Sequence, residues 1–199
     1  MRFNLGLFSA PYRYIFWPVL ALVILPEFAL LARMRWRHHS VASHDAGSLR
    51  LNILGTLLAA IAALLMAGVP ALRFPRRVYG WVFASGVTLL ALAGLLRWHC
   101  RRALGSYFTA DVTTHSDHAV VDRGAYAWVR HPSYTAIILM TTGIGLALGS
   151  WAGALVCGAV TVIVLRNRIE IEERVLLETL GGRYQAYMKR RKRLIPFIY

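Results

Sequence analysis

A polar segment with a histidine, His131-Pro132-Ser133-Tyr134, carries the residue types in this sequence that are best suited to chemistry. An apolar run begins at Tyr134, the last residue of this segment, and a second apolar run follows it. After the second run the chain carries its densest acidic cluster, Glu170, Glu172 and Glu173. Ionisable groups at a membrane boundary are costly to place, so they generally have a partner or a task. The two segments therefore indicate one site, assembled where an apolar hairpin begins and ends.

Arg168 and Glu172 are four residues apart, so a helix places both side chains on one face. An arginine offers a bidentate fork to a carboxylate or a phosphate, and a carboxylate can receive an ammonium group or ribose hydroxyls. The spacing predicts that the two side chains clamp a ligand between them. A second interpretation stays open, in which the acidic cluster belongs to a surface helix tied by weak ion pairs of the same spacing.

The composition is that of an integral membrane protein. The chain has 199 residues, 57% of them hydrophobic, and a mean hydropathy of +0.50, whereas soluble domains are about 45–50% apolar. Its net charge of +14 comes from basic residues between the apolar runs. That placement favours contact with anionic lipid headgroups and a role in topology over nucleic-acid binding. The histidines and cysteines have no metal-ligand spacing, so we expect no metal.

Five apolar runs predict five membrane-spanning helices, each needing about 20 apolar residues. They cover residues 15–32, 51–69, 78–96, 134–148 and 151–165. The fourth helix should begin at Pro132, since proline suits the first helical position. The fourth and fifth should form a tight hairpin that turns at Gly149-Ser150. Glu27, beside Pro26 in the first run, fits a helix-end carboxylate near an arginine better than a functional residue.

Basic residues predict the orientation of these helices. The loops 33–50 and 97–130 and the tail after residue 165 are rich in arginine and lysine. An odd number of spans puts all three on one face, which the positive-inside rule assigns to the cytoplasm. Arg73, Arg76 and Arg77 remain on the opposite face. We divide the chain into N-terminal transmembrane helices, residues 1–96, and a catalytic region, residues 97–199.

The chain becomes amphipathic after residue 165. Apolar side chains recur at three- and four-residue spacing in this stretch: Val175, Leu176, Leu180, Tyr184 and Tyr187. Gly181-Gly182 should end one helix and lead into a second short one. A basic face beside an apolar stripe predicts a helix on the membrane surface, with the tail 189–193 facing the headgroups.

Several of these motifs together resemble the isoprenylcysteine carboxyl methyltransferase family. The resemblance rests on HAVVDRGAYAWVRHPSY at residues 118–134, RIEIEE at 168–173, LGGRYQAY at 180–187 and LIPF at 194–197. The motifs occur in the same order and with matching gaps over roughly residues 97–199. The N-terminal half matches only as generic membrane helices.

The resemblance implies S-adenosylmethionine in a pocket on the cytosolic face, without a Rossmann domain. The absence of a G-x-G-x-x-G motif after a strand agrees with this. The implied cofactor contacts are His118, Ala119, Val120, Val121, Tyr126, His131, Pro132, Ser133, Tyr134 and Glu172. The resemblance associates Arg168 with the methyl acceptor, and the implied catalytic residues are Arg168, Glu172 and Glu173.

The function that we expect is methyl transfer to a lipophilic acceptor that enters from the bilayer. The acceptor group that the resemblance implies is the carboxylate of an isoprenylcysteine or a similar compound. The expected partners are this acceptor and membrane lipids, and the oligomeric state stays open. One alternative is a methyltransferase for phospholipids or other small lipids, because related enzymes share the Arg-His-Pro-x-Tyr and Glu-Glu elements. Another is a membrane reductase that uses NADPH. A third alternative is a non-catalytic membrane scaffold or a small transporter. It would not explain why the loop and the acidic cluster lie on the same face of the membrane.

Overall fold

The computed structural model describes residues 11–37, 47–105 and 120–196, and within these residues the chain is helical with no β-strand. Six α-helices follow one another: α1 (Tyr12–Arg37), α2 (Ser48–Ala67), α3 (Tyr79–Leu104), α4 (Pro132–Ala147), α5 (Trp151–Leu180) and α6 (Gly182–Arg190). Short 3₁₀ turns lie at Pro70–Leu72, Arg76–Val78 and Gly124–Ala127. The predicted all-α fold is confirmed.

All five predicted apolar helices are present, and four of them are long and apolar enough to cross a membrane. The exception is α4, whose 16 residues extend about 24 Å, less than the roughly 30 Å of a hydrocarbon core. It begins at Pro132, as predicted, and none of its residues is exposed. Thus α4 is an inner helix, sheltered by the longer ones.

The third and fifth helices run furthest beyond the ends that the apolar pattern predicted. The third helix continues past Arg97 to Leu104, and the fifth continues past Leu165 to Leu180. The predicted ends were wrong because hydropathy marks where a helix leaves the bilayer, while only a helix breaker stops the backbone. Both helices end at a glycine with positive φ, Gly105 at 56° and Gly181 at 55°. The predicted break at Gly181-Gly182 is confirmed.

The helices pack around α4. Its main neighbours are α3 and α5, while α2 lies against α5 and α1 against α3. Small residues allow close approach, as is typical of membrane bundles: Gly86 of α3 faces the backbone of Gly143 and Ala147 in α4. Large apolar side chains cover the outer surface, among them Leu22, Leu65, Trp81 and Ile163. An apolar exterior of this kind suits a lipid environment.

The hairpin between α4 and α5 turns at Gly149-Ser150, as predicted. Gly149 has a φ of 74°, in the left-handed region that favours glycine. The Ser150 hydroxyl caps α5 by accepting a hydrogen bond from the Gly153 amide at 2.9 Å, and it donates to the Leu72 carbonyl at 2.8 Å. This turn is therefore tied to the segment that precedes α3.

Helices from both halves of the chain share one core. It includes Phe16 and Ala63 from the N-terminal half and Leu148 and Cys157 from the C-terminal half. The division into residues 1–96 and 97–199 therefore stays a prediction about function, since the two parts pack as one body of helices.

Candidate active site

The first turn of α4 meets α5 at the level where α5 becomes polar. The Tyr134 hydroxyl lies between two side chains of α5, because Arg168 Nε donates to Tyr134 Oη at 2.9 Å and Tyr134 Oη donates to Glu172 Oε2 at 2.5 Å. Arg168 is buried, whereas the Glu172 side chain keeps 29% of its surface exposed. The predicted pair therefore shares one face of α5, with a phenol bridging its two members.

His131 lies beside this bridge, just before α4. Its ring stacks on that of Tyr134, with centroids 5.4 Å apart and an interplanar angle of 7°. His131 Nδ1 is 3.7 Å from Glu172 Oε2, and His131 Nε2 is 3.1 Å from Glu173 Oε1. The buried ring thus lies between two carboxylates that are adjacent in the chain.

Glu173 has a different environment from Glu172. Its side chain is 4% exposed, and cationic groups contact both of its oxygens. Arg130 Nε donates to Oε1 at 2.8 Å, and Arg193 Nη2 donates to Oε2 at 2.9 Å. A carboxylate held in this way is suited to fixing the loop and the tail in place, while Glu172 is better placed to meet a ligand.

The C-terminal segment lies along the loop that carries His131. The Arg130 amide donates to the Lys192 carbonyl at 2.8 Å, and the His131 amide donates to the Arg193 carbonyl at 2.9 Å. Thr135 Oγ1 donates to the Leu194 carbonyl at 2.8 Å. The tail was predicted to face lipid headgroups, but part of it is integrated into the site. We call residues 191–194 the C-terminal strap.

Tyr126 occupies a buried position in the 3₁₀ turn Gly124–Ala127. Its carbonyl accepts a hydrogen bond from the Tyr187 hydroxyl of α6 at 2.7 Å. Tyr184 and Tyr187 are buried, so the apolar stripe of α6 faces protein at these positions, not the membrane surface as predicted. Burial raises the pKa of Tyr126, Tyr184 and Tyr187 above the ordinary phenol value, so all three hydroxyls remain protonated and able to donate hydrogen bonds.

The remaining predicted contacts are distributed around this centre. Val120 and Val121 are half-buried, and Pro132 and Ser133 are buried in the first turn of α4. His118 and Ala119 lie outside the described residues. An open cleft of about 490 Å³ lies nearby, but its lining contains none of the predicted cofactor residues; it consists of Ala127, Trp128, Arg190, Arg191 and Lys192.

Sequence reasoning missed one set of contacts at this site. Arg97 of α3 donates to Ser133 Oγ and forms a bidentate ion pair with Glu27 of α1. The sequence feature that could have revealed these contacts is Glu27, the one acidic residue in α1, α2 and α3. The arginine partner that we favoured for it is present, although Glu27 lies inside α1 and not at a helix end.

The arrangement can bind a cation and an anion side by side. Glu172 presents a partly exposed carboxylate next to two aromatic rings, a setting that suits a sulfonium or ammonium group. Arg168 lies buried one helical turn away, and a guanidinium is a group that suits a carboxylate. The site therefore has the charge pattern needed to hold a cationic group and an anionic group next to each other.

A family model for isoprenylcysteine carboxyl methyltransferases matches residues 86–178, which include most of α3, all of α4 and most of α5. Named relatives extend this match. The protein-S-isoprenylcysteine O-methyltransferase of Schizosaccharomyces pombe is 29% identical over 195 residues, covering 92% of this chain and 83% of that protein. The enzyme of the same name from Mus musculus is 32% identical over 124 residues, covering 59% of this chain and 42% of that protein.

A solved structure supports the same relationship over nearly the whole chain. It is described as the eukaryotic intramembrane Ras methyltransferase, an isoprenylcysteine carboxyl methyltransferase. The TM-score is 0.67 at 25% sequence identity, and the alignment covers 98% of this chain and 72% of that one. The likeness therefore includes α1 and α2, which lie outside the family-model match.

Proposed function

We propose, from these likenesses, that the chain is a member of the isoprenylcysteine carboxyl methyltransferase family. It is then a multi-pass membrane enzyme that methylates the carboxylate of an isoprenylcysteine, with S-adenosylmethionine as the methyl donor. The observation that carries this proposal is the contact of Arg168, Tyr134 and Glu172. These residues come from two of the four motifs on which the resemblance rests, and they combine an anion-binding group with a cation-binding group.

The residues at the site fit a bound S-adenosylmethionine. Its sulfonium supplies an activated methyl group when the cofactor is bound. Glu172 is the partly exposed carboxylate that would face its positive charge, and the stacked rings of His131 and Tyr134 provide an aromatic wall beside it. We assign the further contacts to Val120, Val121, Tyr126, Pro132 and Ser133, together with His118 and Ala119 outside the described residues.

Arg168 would orient the acceptor. Its guanidinium is always charged, so it can hold the acceptor carboxylate with one oxygen directed at the methyl carbon. That oxygen would form the new C–O bond as the C–S bond of the donor breaks, with the electron pair left on sulfur. An anionic carboxylate carries no proton to remove, so no general base is required. Positioning and exclusion of water would supply most of the rate.

We assign the site to the cytoplasmic face, where the positive-inside rule places the basic loops and tail. The prenyl chain of the acceptor would remain between the helices, since burial of each CH₂ contributes about 0.8 kcal/mol. The alternatives are not favoured, because the reported relatives are named isoprenylcysteine methyltransferases and not phospholipid methyltransferases or reductases.

The proposal is tested with purified protein in detergent, tritiated S-adenosylmethionine and an S-farnesylated cysteine with a free carboxylate. We expect base-labile methyl label in the product and none when the carboxylate is blocked as an amide. Calorimetry should detect S-adenosylmethionine and not NADPH. Binding of NADPH alone, or label on a phospholipid but not on the prenylcysteine, would overturn the proposal.

Arg168→Lys tests the role of the acceptor arginine. Lysine keeps the charge but loses the bidentate fork, so we expect kcat to fall at least about tenfold while the affinity for S-adenosylmethionine changes less than about twofold. Arg166→Lys is the control, since Arg166 lies on the same helix and its side chain is largely exposed. A loss of cofactor binding in Arg168→Lys would remove this residue from the acceptor role.

A further inference from the structure

A charged residue lies inside the first membrane helix, where its presence requires an explanation. Glu27 is the one carboxylate in α1, α2 and α3, and its side chain is mostly buried. A carboxylate among apolar residues costs several kcal/mol unless it is paired. Glu27 is paired with Arg97 and Arg101, which lie one turn apart on α3.

The two arginines bind Glu27 differently. Arg97 uses both sides of its fork, since Nε donates to Oε1 at 3.0 Å and Nη2 donates to Oε2. Arg101 adds a single contact, Nη1 to Oε1 at 3.2 Å. A bidentate pair fixes the plane of the guanidinium, whereas a single contact leaves it free to turn. Glu27 therefore sets the orientation of Arg97 above all.

The oriented guanidinium reaches α4. Arg97 Nη1 donates to the hydroxyl of Ser133, a buried residue in the first turn of α4. The next residue is Tyr134, whose hydroxyl bridges Arg168 and Glu172. A small rotation of this turn would move Tyr134, and displacements of about 1 Å at such a place can cost roughly a hundredfold in rate.

We infer that Glu27, Arg97 and Ser133 form a positioning relay, in which the first membrane helix sets the position of the first turn of α4, and thereby of Tyr134, for methyl transfer. The inference rests on the proposed function. It assigns a role in the reaction to α1, which lies outside the residues that the family model matches. Glu27 and Arg97 act through Ser133 and Tyr134, so these two are positioning residues and not catalytic ones.

Arg97→Lys is the decisive variant, with Arg101→Lys as its matched control. Both substitutions keep a positive charge beside Glu27, but only the first removes the fork that joins Glu27 to Ser133. We expect kcat to fall about tenfold in Arg97→Lys with the KM for S-adenosylmethionine unchanged within about twofold, and both constants to stay within about twofold in Arg101→Lys. Equal effects of the two substitutions would overturn the relay.

A double-mutant cycle tests whether Glu27 acts through Ser133. If it does, Glu27→Gln and Ser133→Ala each lower kcat about tenfold, and the double variant is no worse than either single one. Independent structural roles would instead multiply to about a hundredfold, and that result would overturn the inference.

Hydrogen exchange provides a readout that does not depend on turnover. The amides of Tyr134 and Thr135 donate to the His131 carbonyl at the start of α4. We expect them to exchange about tenfold faster in Arg97→Lys and unchanged in Arg101→Lys. If the wild-type protein transferred no methyl group, the proposed function would be wrong. The amide exchange rates would still test whether Arg97 holds the first turn of α4. An active wild-type protein with unaltered exchange in Arg97→Lys would overturn the relay alone.

Discussion

Glu172 and Glu173 are neighbours in the chain, yet their carboxylates have different surroundings. Glu173 is enclosed by Arg130, His131 and Arg193, while Glu172 is contacted by Tyr134 and His131 and remains partly exposed. A saturated, buried carboxylate has little capacity left for a ligand. We therefore assign the ligand to Glu172 and give Glu173 a structural task, although both were predicted to be catalytic.

Tyr134→Phe tests the bridge at the residue scale. Phenylalanine keeps the ring that stacks on His131 but removes the hydroxyl between Arg168 and Glu172. We expect kcat to fall roughly tenfold, because one hydrogen bond to charged groups is worth about 1.5–3 kcal/mol. Tyr14→Phe on the exposed part of α1 is the control. Unchanged methyl transfer by Tyr134→Phe would contradict a role for the hydroxyl.

At the scale of elements, the loop before α4 is held by the C-terminal strap. Backbone hydrogen bonds join Arg130 and His131 to residues 192 and 193. Glu173 binds the loop through Arg130 and the strap through Arg193. These noncovalent contacts keep the tail beside the site. The strap therefore links the end of the chain to the position of His131.

Glu173→Gln should destabilise this assembly. The amide keeps the shape but leaves the buried guanidinium of Arg130 without its counter-charge, so we expect a loss of about 3 kcal/mol. Thermal unfolding in detergent should show a lower midpoint, and limited proteolysis should release the tail. Glu178→Gln, at an exposed position on the same helix, should match the wild type. An unchanged midpoint with a protected tail would show that the strap does not depend on Glu173.

The contact between α3 and α4 depends on small residues. A Cβ atom at Gly86 would lie 2.5 Å from the Ala147 amide nitrogen and 2.8 Å from the Gly143 carbonyl oxygen, so the helices would have to separate. Gly86→Ala should therefore lower stability by about 1–3 kcal/mol, as overpacking does. At Gly80 the nearest atom is 3.8 Å away, so Gly80→Ala serves as the control. The two midpoints of thermal unfolding should differ, and equal midpoints would contradict the close packing.

At the scale of the whole molecule, apolar helices surround a polar site that lies to one side of the bundle. The outer helices expose large apolar residues, α4 is enclosed, and the charged network lies where α3 and α5 end. Basic residues concentrate near the same end. This asymmetry is the physical basis for our assignment of the site to the cytoplasmic face.

Accessibility labelling tests this orientation. In a background with Cys100→Ala and Cys157→Ala, single Arg77→Cys and Lys189→Cys substitutions place a thiol at exposed positions on either side of the bundle. A membrane-impermeant maleimide added to intact cells should label the first variant at once and the second only after permeabilisation. The reverse pattern would place the site on the outer face.

The sequence by itself determined the elements of this protein. Hydropathy predicted five apolar helices, Pro132 marked the start of α4, and Gly149-Ser150 and Gly181-Gly182 marked two breaks. These features depend on local properties, namely transfer of side chains into lipid and the backbone restrictions of proline and glycine. The ends of α3 and α5 were missed because loss of apolarity does not end a helix.

Only the tertiary structure decided which side chains meet. Adjacent residues on a helix point about 100° apart, so the rotation of α5 against α4 directs Glu172 to Tyr134 and Glu173 to Arg130. Arg193 and Glu27 are remote from the site in the chain, and their contacts with it arise from the folding of the tail and the packing of α1 on α3. The helical pattern supplies the spacing within one helix, but the contacts between helices follow from packing of whole surfaces.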